Sequence, residues 1–158
     1  MRIAVKEVGK PLQIVEISQQ YRDDAVKPYT GQDEFVEYVR LSPDGCLCLG
    51  VNEIGLRLDL PTNFLIHVNN PRYPIQKMLG NVVFVRHKPV NIFEEEIWDY
   101  EVTDLNEEDL QFIEYLLSPD VQHTLAEEFV DYGMHAPVYA KTFTPEELED
   151  ALLNGECF

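Results

Sequence analysis

The chain has 158 residues, 45 % of them hydrophobic, with eight Phe, eight Tyr and one Trp; that length buries one core without a disulfide or metal and that composition excludes a disordered chain. The formal net charge is -17, and it is unevenly spread: residues 1–93 carry eleven Lys/Arg against ten Asp/Glu, whereas residues 94–158 carry one, Lys141, against nineteen. Direct binding of that acidic segment to nucleic acid or an anionic membrane is excluded, since both are negative, and a protein partner with a basic surface is allowed.

The opening MRIAVKEVGK is broken by charge every few residues. It lacks the apolar core of a signal peptide, and no apolar run approaches the length of a membrane span, so a cytoplasmic chain with reduced thiols is expected. Ile3 and Val5 alternate with charge over residues 2–6, Gly9-Lys10 turns, and Leu12 to Ile17 returns, which predicts a hairpin. Ser18 is placed to cap a short helix over 19–26, with Pro28 ending it.

The stretch 34–64 organises the rest. Phe35 to Leu41 reads as a strand, Pro43-Asp44-Gly45 as a turn in which Pro sets φ and Gly accepts a positive φ. Cys46 to Val51 holds no polar residue, the mark of a central strand, and Gly50 within it points to a bulge or a close backbone approach. Leu47, Leu49, Val51, Val83 and Val85 are the expected core. Asn52-Glu53-Ile54-Gly55 reads as a turn, and Leu56, Leu58 and Leu60 alternate with Arg57 and Asp59 as a further half-buried strand. Residues 69–74 form a loop. Asn81 to Val85 is a second wholly apolar strand, which Pro89 stops, with a connection over 88–96. Trp98, Tyr100 and Val102 alternate as a last strand or extended arm.

The period changes at Asn106, a helix cap followed by acidic residues. Leu110, Ile113 and Leu117 form one stripe. Ser118-Pro119 opens a second helix with Val121, Leu125 and Phe129 inward and Gly133 as its stop. Thr144-Pro145-Glu146-Glu147 is a capping box for a third helix, running to about Gly155. The expected architecture is α+β: one domain in which a curved, mostly antiparallel sheet from residues 1–102 carries three C-terminal helices in an acidic part, 103–158.

The ordered landmarks RIAVKEVGK-PLQIVEI, EFVEYVRL, Asp44-Gly45, Asn52-Glu53-x-Gly55, Leu60-Pro61-x-Asn63, Gly80-Asn81-Val82-Val83 and Thr103 to Glu108 resemble an uncharacterised family, a domain of unknown function of phages and mobile elements in Gram-positive and gut bacteria. The resemblance covers residues 1 to about 110, with segment 19–33 poorer in Leu and residues 113–158 an extension. It implies a shared fold and a mobile-element setting, and no activity.

Cys46 and Cys48 lie two apart on a strand, about 6.6 Å between Cα atoms at ~3.3 Å rise per residue, which is poor disulfide geometry. They read as core thiols, and Cys157 as terminal. His67, His87, His123 and His135 lack metal-ligand spacing. His67 and His87 flank the second apolar strand and read as structural. No nucleophile, phosphate-loop or zinc motif occurs, so neither enzymatic activity nor a metal or cofactor is expected. The expected function is binding of a protein partner through Glu107, Glu108, Asp109, Glu127, Glu128, Asp131, Glu146, Glu147 and Asp150, in its sharpest form as a nucleic-acid-mimicking decoy or anti-defence inhibitor. The alternative is a small-ligand pocket at Asn52, Glu53 and Asn63, where the turn reading of Asn52 competes.

Overall fold

Period-two alternation in the first two-thirds of the chain becomes an antiparallel sheet, and the period change at Asn106 becomes helix. The computed structural model describes residues 1–91 and 98–135. In order it contains β1 (Arg2–Lys6), β2 (Gln13–Glu16), α1 (Arg22–Thr30), β3 (Val36–Arg40), β4 (Leu47–Asn52), β5 (Thr62–His67), β6 (Ile75–Leu79), β7 (Val82–Asn91), β8 (Trp98–Thr103), α2 (Glu107–Leu116) and α3 (Pro119–His135). The fold is α+β. Two of the helices described, α2 and α3, follow the sheet and α1 precedes most of it; the helix expected over 144–155 lies outside the described residues.

The chain divides into two units, 1–63 with 78–114, and 64–77 with 115 onward. The first unit holds the main sheet, in the order β2-β1-β7-β4-β3 with β8 also on β7. All its pairings are antiparallel. The two apolar runs expected at the sheet centre, Leu47 to Val51 in β4 and Val82 to Val85 in β7, are central, and every residue of β4 is buried. Leu47, Leu49, Val51, Val83 and Val85 are all among the core residues.

The register sorts side chains to two faces. Ile3, Val5, Cys48, Val83, Val85 and Val102 share one face with Ala25 and Val26 of α1 packed on it. Burying each such Val or Ile contributes roughly 1.5–3 kcal/mol. Leu47, Leu49 and Phe84 turn to the opposite face and are equally excluded from water.

Five features depart from expectation, four of them for a local reason that the hydrogen bonds and backbone angles show. The helix begins at Arg22, not after Ser18, because the preceding residues are held extended against β8: Val102 N–H donates to the Gln20 carbonyl at 2.9 Å and Tyr21 bridges Glu101. Pro28 lies inside α1, on its exposed side with Asp24, whose carbonyl loses its helical partner; Gly31 at φ 141° ends the helix.

The strand expected at Leu56–Leu60 is instead a single helical turn. Leu60 N–H donates to the Gly55 carbonyl at 2.9 Å and Asp59 N–H to Leu56 at 3.2 Å, with Asp59 at φ 52°. These are the paired bonds by which a left-handed residue closes a helical C-terminus, and the turn leaves Leu56 and Leu58 exposed.

Pro89 does not stop β7. His87 N–H donates to Cys46 at 2.8 Å, so the nitrogen two residues on points the same way, past the end of β4. Pro89 therefore loses no ladder bond while β8 pairs along its other side. Gly133 likewise lies within α3.

In the second unit, the hairpin over residues 64–77 packs its Leu65 and Ile75 against Leu125 of α3, with Val121 and Phe129 alongside. That is the helix stripe expected from the sequence. Gln122 bonds both ways to the hairpin main chain, accepting from Leu65 N–H and donating to the Leu65 carbonyl, each at 2.9 Å. The two strands β5 and β6 were not expected; the hairpin between Phe64 and Lys77 is short, with Asn and Pro in its loop and weak alternation.

Candidate functional site

The helix-covered face of the main sheet carries a polar cluster at the N-terminal end of α1. The parity that buries Val83 and Val85 turns His87 to the same face, and the β4–β7 register sets Cys48 opposite Val85. The β3–β4 register sets Arg40 opposite Cys48. Arg22, the first residue of α1, descends among them. Its guanidinium carbon lies 3.5 Å from the Tyr38 ring centroid and 4.0 Å from that of Tyr100, an arrangement worth roughly 0.5–2 kcal/mol for a desolvated cation.

Arginine can only donate. His87 Nδ1, 2.9 Å from Arg22 Nη1, is therefore the bare acceptor nitrogen. The ring proton sits on Nε2, which donates to the Gly45 carbonyl at 2.9 Å. Cys48 Sγ lies 3.4 Å from the same Nδ1 and 3.6 Å from the Val85 carbonyl. Burial, then the charge of Arg22, holds His87 below its ordinary value. Burial, against the pull of Arg22, pushes the Cys48 thiol up to about 11.

Tyr38 is pushed above its ordinary value by burial and by donating to Asp23 at 2.6 Å. Arg22 Nε is buried without a hydrogen-bond partner, its nearest paired carboxylate oxygen being Asp23 Oδ1 at 4.0 Å. A Cys–His pair is present, then, but the thiol is protonated at neutral pH, solvent does not reach it, and both imidazole nitrogens are engaged. His87 has both ring nitrogens engaged within the fold, which fits the structural reading of it from the sequence. His67 is exposed at the end of β5.

On the opposite face Arg86 holds Asp109 with two bonds, Nε to Oδ2 at 2.8 Å and Nη2 to Oδ1 at 2.9 Å. Asp109 also closes the helix start: its N–H donates to Asn106 Oδ1 at 2.8 Å, and Asn106 N–H donates to its Oδ2 at 3.0 Å. Burial tends to raise the Asp109 pKa, but Arg86 and the Asn106 amide outweigh it and hold the group low. This corrects the expected acidic surface, because Asp109 is 4 % exposed and faces inward. Its i+3 spacing from Asn106 was the available sign: that is the place of the acidic partner in a capping box.

Glu107 and Glu108 are exposed in the first turn of α2, and Glu107 reaches Arg2 only at 3.9 Å. On α3, Glu127 and Glu128 are exposed, with His123 Nε2 3.0 Å from Glu127 Oε1. Asp131 follows on the same helix. Glu146, Glu147 and Asp150 lie outside the described residues, as does Cys157.

The alternative pocket residues are engaged by the fold. Asn52 is buried, donates to the Thr30 carbonyl at 3.0 Å and accepts from Ile54 N–H at 2.9 Å, the turn chemistry expected of it. Asn63 donates to the carbonyls of Lys6 at 2.7 Å and Gly80 at 2.9 Å and accepts from Lys6 Nζ at 3.2 Å. Glu53 is exposed in the turn. Among the described residues no three His, Cys, Asp or Glu side chains are grouped to hold a metal ion.

The fold and its clusters thus define a small α+β chain with closed polar contacts and an exposed acidic helix. Set against protein-family models, curated proteins and solved structures, the chain gives no significant match.

Proposed function

We propose that this chain is a non-enzymatic binding protein of a phage or mobile element that engages a basic protein partner through acidic helix surfaces. In its sharpest form it is a decoy that occupies a nucleic-acid-binding surface. The mobile-element setting rests on the family resemblance alone. The observation that carries the binding reading is α3. Its apolar stripe is spent on the hairpin, Glu127 and Glu128 stand exposed on its remaining surface, and no Lys or Arg occurs between Pro119 and His135.

Residues four apart on a helix are about 6 Å apart along its axis, and duplex DNA carries one charge per about 1.7 Å of axis. A few acidic rows therefore imitate part of a phosphate ladder. The buried, protonated Cys48 beside an engaged His87 supports the non-enzymatic half of the reading. The small-ligand alternative has less support, since Asn52 and Asn63 use their amides inside the fold.

The test is capture of the partner from a host extract, followed by binding titrations over a range of salt. With Glu127→Gln, Glu128→Gln and Asp131→Asn combined, folding stays intact or improves, because like charges at this spacing cost a helix roughly 0.2–0.5 kcal/mol per pair. Partner affinity falls and its salt dependence becomes shallower, and duplex DNA competes with the wild-type chain. Unchanged affinity across the salt titration would reduce the acidic helix to a solvated face.

A further inference from the structure

We propose that His87 is a proton-sensitive latch: neutral, it accepts Arg22 and holds the first turn of α1 on the sheet; protonated, it lets that turn go and uncovers the apolar face beneath. The geometry allows only one compatible charge state. Nδ1 faces Arg22 Nη1 at 2.9 Å, and a proton on Nδ1 would put two donors and two cations in contact inside a pocket walled by Tyr38 and Tyr100.

The groups around the ring offer a second proton no welcome. From α1 comes Arg22, with Asp23 held by the Tyr38 hydroxyl. From β3 come Tyr38 and Arg40, from β4 Cys48, from the turn before it the Gly45 carbonyl, and from β8 Tyr100. The charges that weigh on the imidazole are those of Arg22, Arg40 and Arg86, all positive.

The helix being held depends on such contacts. It is 9 residues long, its N-cap Tyr21 makes no side-chain cap bond, and Pro28 removes one internal bond. A helix that short does not persist on its own in water. It covers Ile3, Val5, Cys48, Val83 and Val85, so its release is a change of exposed surface and not only of local order.

A histidine held below its unfolded value of 6.5 contributes stability that is fully present above that value and is lost as pH falls from there toward the folded value. Amide hydrogen exchange, corrected for intrinsic rates, is to be followed from about pH 7.5 to about pH 5, the range in which histidine titrates. The amides of α1 should lose protection by up to about tenfold per pH unit for one linked proton, while those of Leu49 and Val85 keep theirs. In His87→Gln, whose side-chain carbonyl accepts from Arg22 without titrating, α1 protection should stay level. Nitrogen NMR of the wild-type imidazole should show the Nε2–H tautomer and a midpoint below 6.5.

Level α1 protection in the wild type, an equal fall in His87→Gln, a parallel fall at Leu49 and Val85, or a midpoint at or above 6.5 would each overturn the latch. The imidazole titration and wild-type exchange need no variant, so they decide the matter even where His87→Gln fails to fold.

Discussion

Gly50 stands in the middle of a fully buried strand, where no turn asks for glycine. A Cβ there would meet Val26 Cγ1 at 2.8 Å, Val36 Cγ1 at 2.9 Å and Tyr38 Cε1 at 3.0 Å. Side chains of helix α1 and strand β3 close over it, so the glycine answers to side-chain packing where the sequence suggested a bulge or a close backbone approach. Gly50→Ala should cost roughly 1–3 kcal/mol by overpacking, read from urea melts; an unchanged midpoint would mean that α1 does not seat there. At Asp109 the loss is of a partner, not of space. Asp109→Asn removes the charge that faces Arg86 and weakens the helix start together. The expected cost is about 3 kcal/mol, the low end for breaking a buried pair, because the Arg86 side chain keeps 22 % exposure. Its pKa is held below 3.8, so its stabilisation is present above that value and is lost as pH falls through the lower, folded value. Acid titration of wild type against Asp109→Asn should therefore converge at low pH, and parallel curves would assign the low pKa elsewhere.

At the scale of elements, the turn over residues 53–60 carries a testable strain. Asp59 is the one non-glycine residue at positive φ among the described residues, and a left-handed conformation costs an ordinary L-residue roughly 1–2 kcal/mol, less for Asp or Asn. Asp59→Ala should lower stability by about 1 kcal/mol and Asp59→Gly should not; equal losses would mean that the Asp carboxylate matters more than the backbone. The same turn explains where sequence reading succeeds and fails. Strands β4 and β7 were legible because wholly apolar runs have few other homes than a sheet centre, and the α3 stripe because its apolar residues recur at four-residue spacing. Leu56-Arg57-Leu58-Asp59-Leu60 alternates like a strand, but Asn52 and Gly55 upstream start a turn that closes on itself, and local hydrogen bonding overrides period two. Pro89 reads as a stop only until its nitrogen is known to point off the end of β4. The Arg22–His87–Cys48 cluster was half legible: His87 shares parity with Val83 and Val85, which marks it as inward, whereas nothing in the spacing from Arg22 to His87 foretells that the two meet. Asp109 was misassigned to the surface because acidic residues in a first helical turn are normally solvated, and its Arg86 partner is distant in sequence.

For the whole molecule the governing quantity is charge. Twelve Lys/Arg face 29 Asp/Glu, leaving -17, and self-repulsion of that size opposes the compact state. Ion pairs act in the other direction, yet most of those among the described residues have at least one exposed partner: Lys10 with Glu7 at 2.7 Å, Arg2 with Glu107 at 3.9 Å and Lys88 with Glu101 at 3.7 Å. Exposed pairs of this kind contribute about 0–1 kcal/mol each, and salt weakens them together with the repulsion. Arg86–Asp109, with Asp109 buried, is screened much less. Seventeen surplus negative charges outweigh a handful of exposed pairs, so screening should stabilise the chain on balance. Raising salt from about 0.01 M to about 0.15 M shortens the Debye length from about 30 Å to about 8 Å. Over that range Tm should rise, and the rise should shrink when Glu127, Glu128 and Asp131 are neutralised together. A Tm that falls with salt would mean that the ion pairs, not the repulsion, dominate the electrostatics of this fold. The acidic rows would then be compensated, and the strong salt dependence expected of partner binding would lose its physical basis.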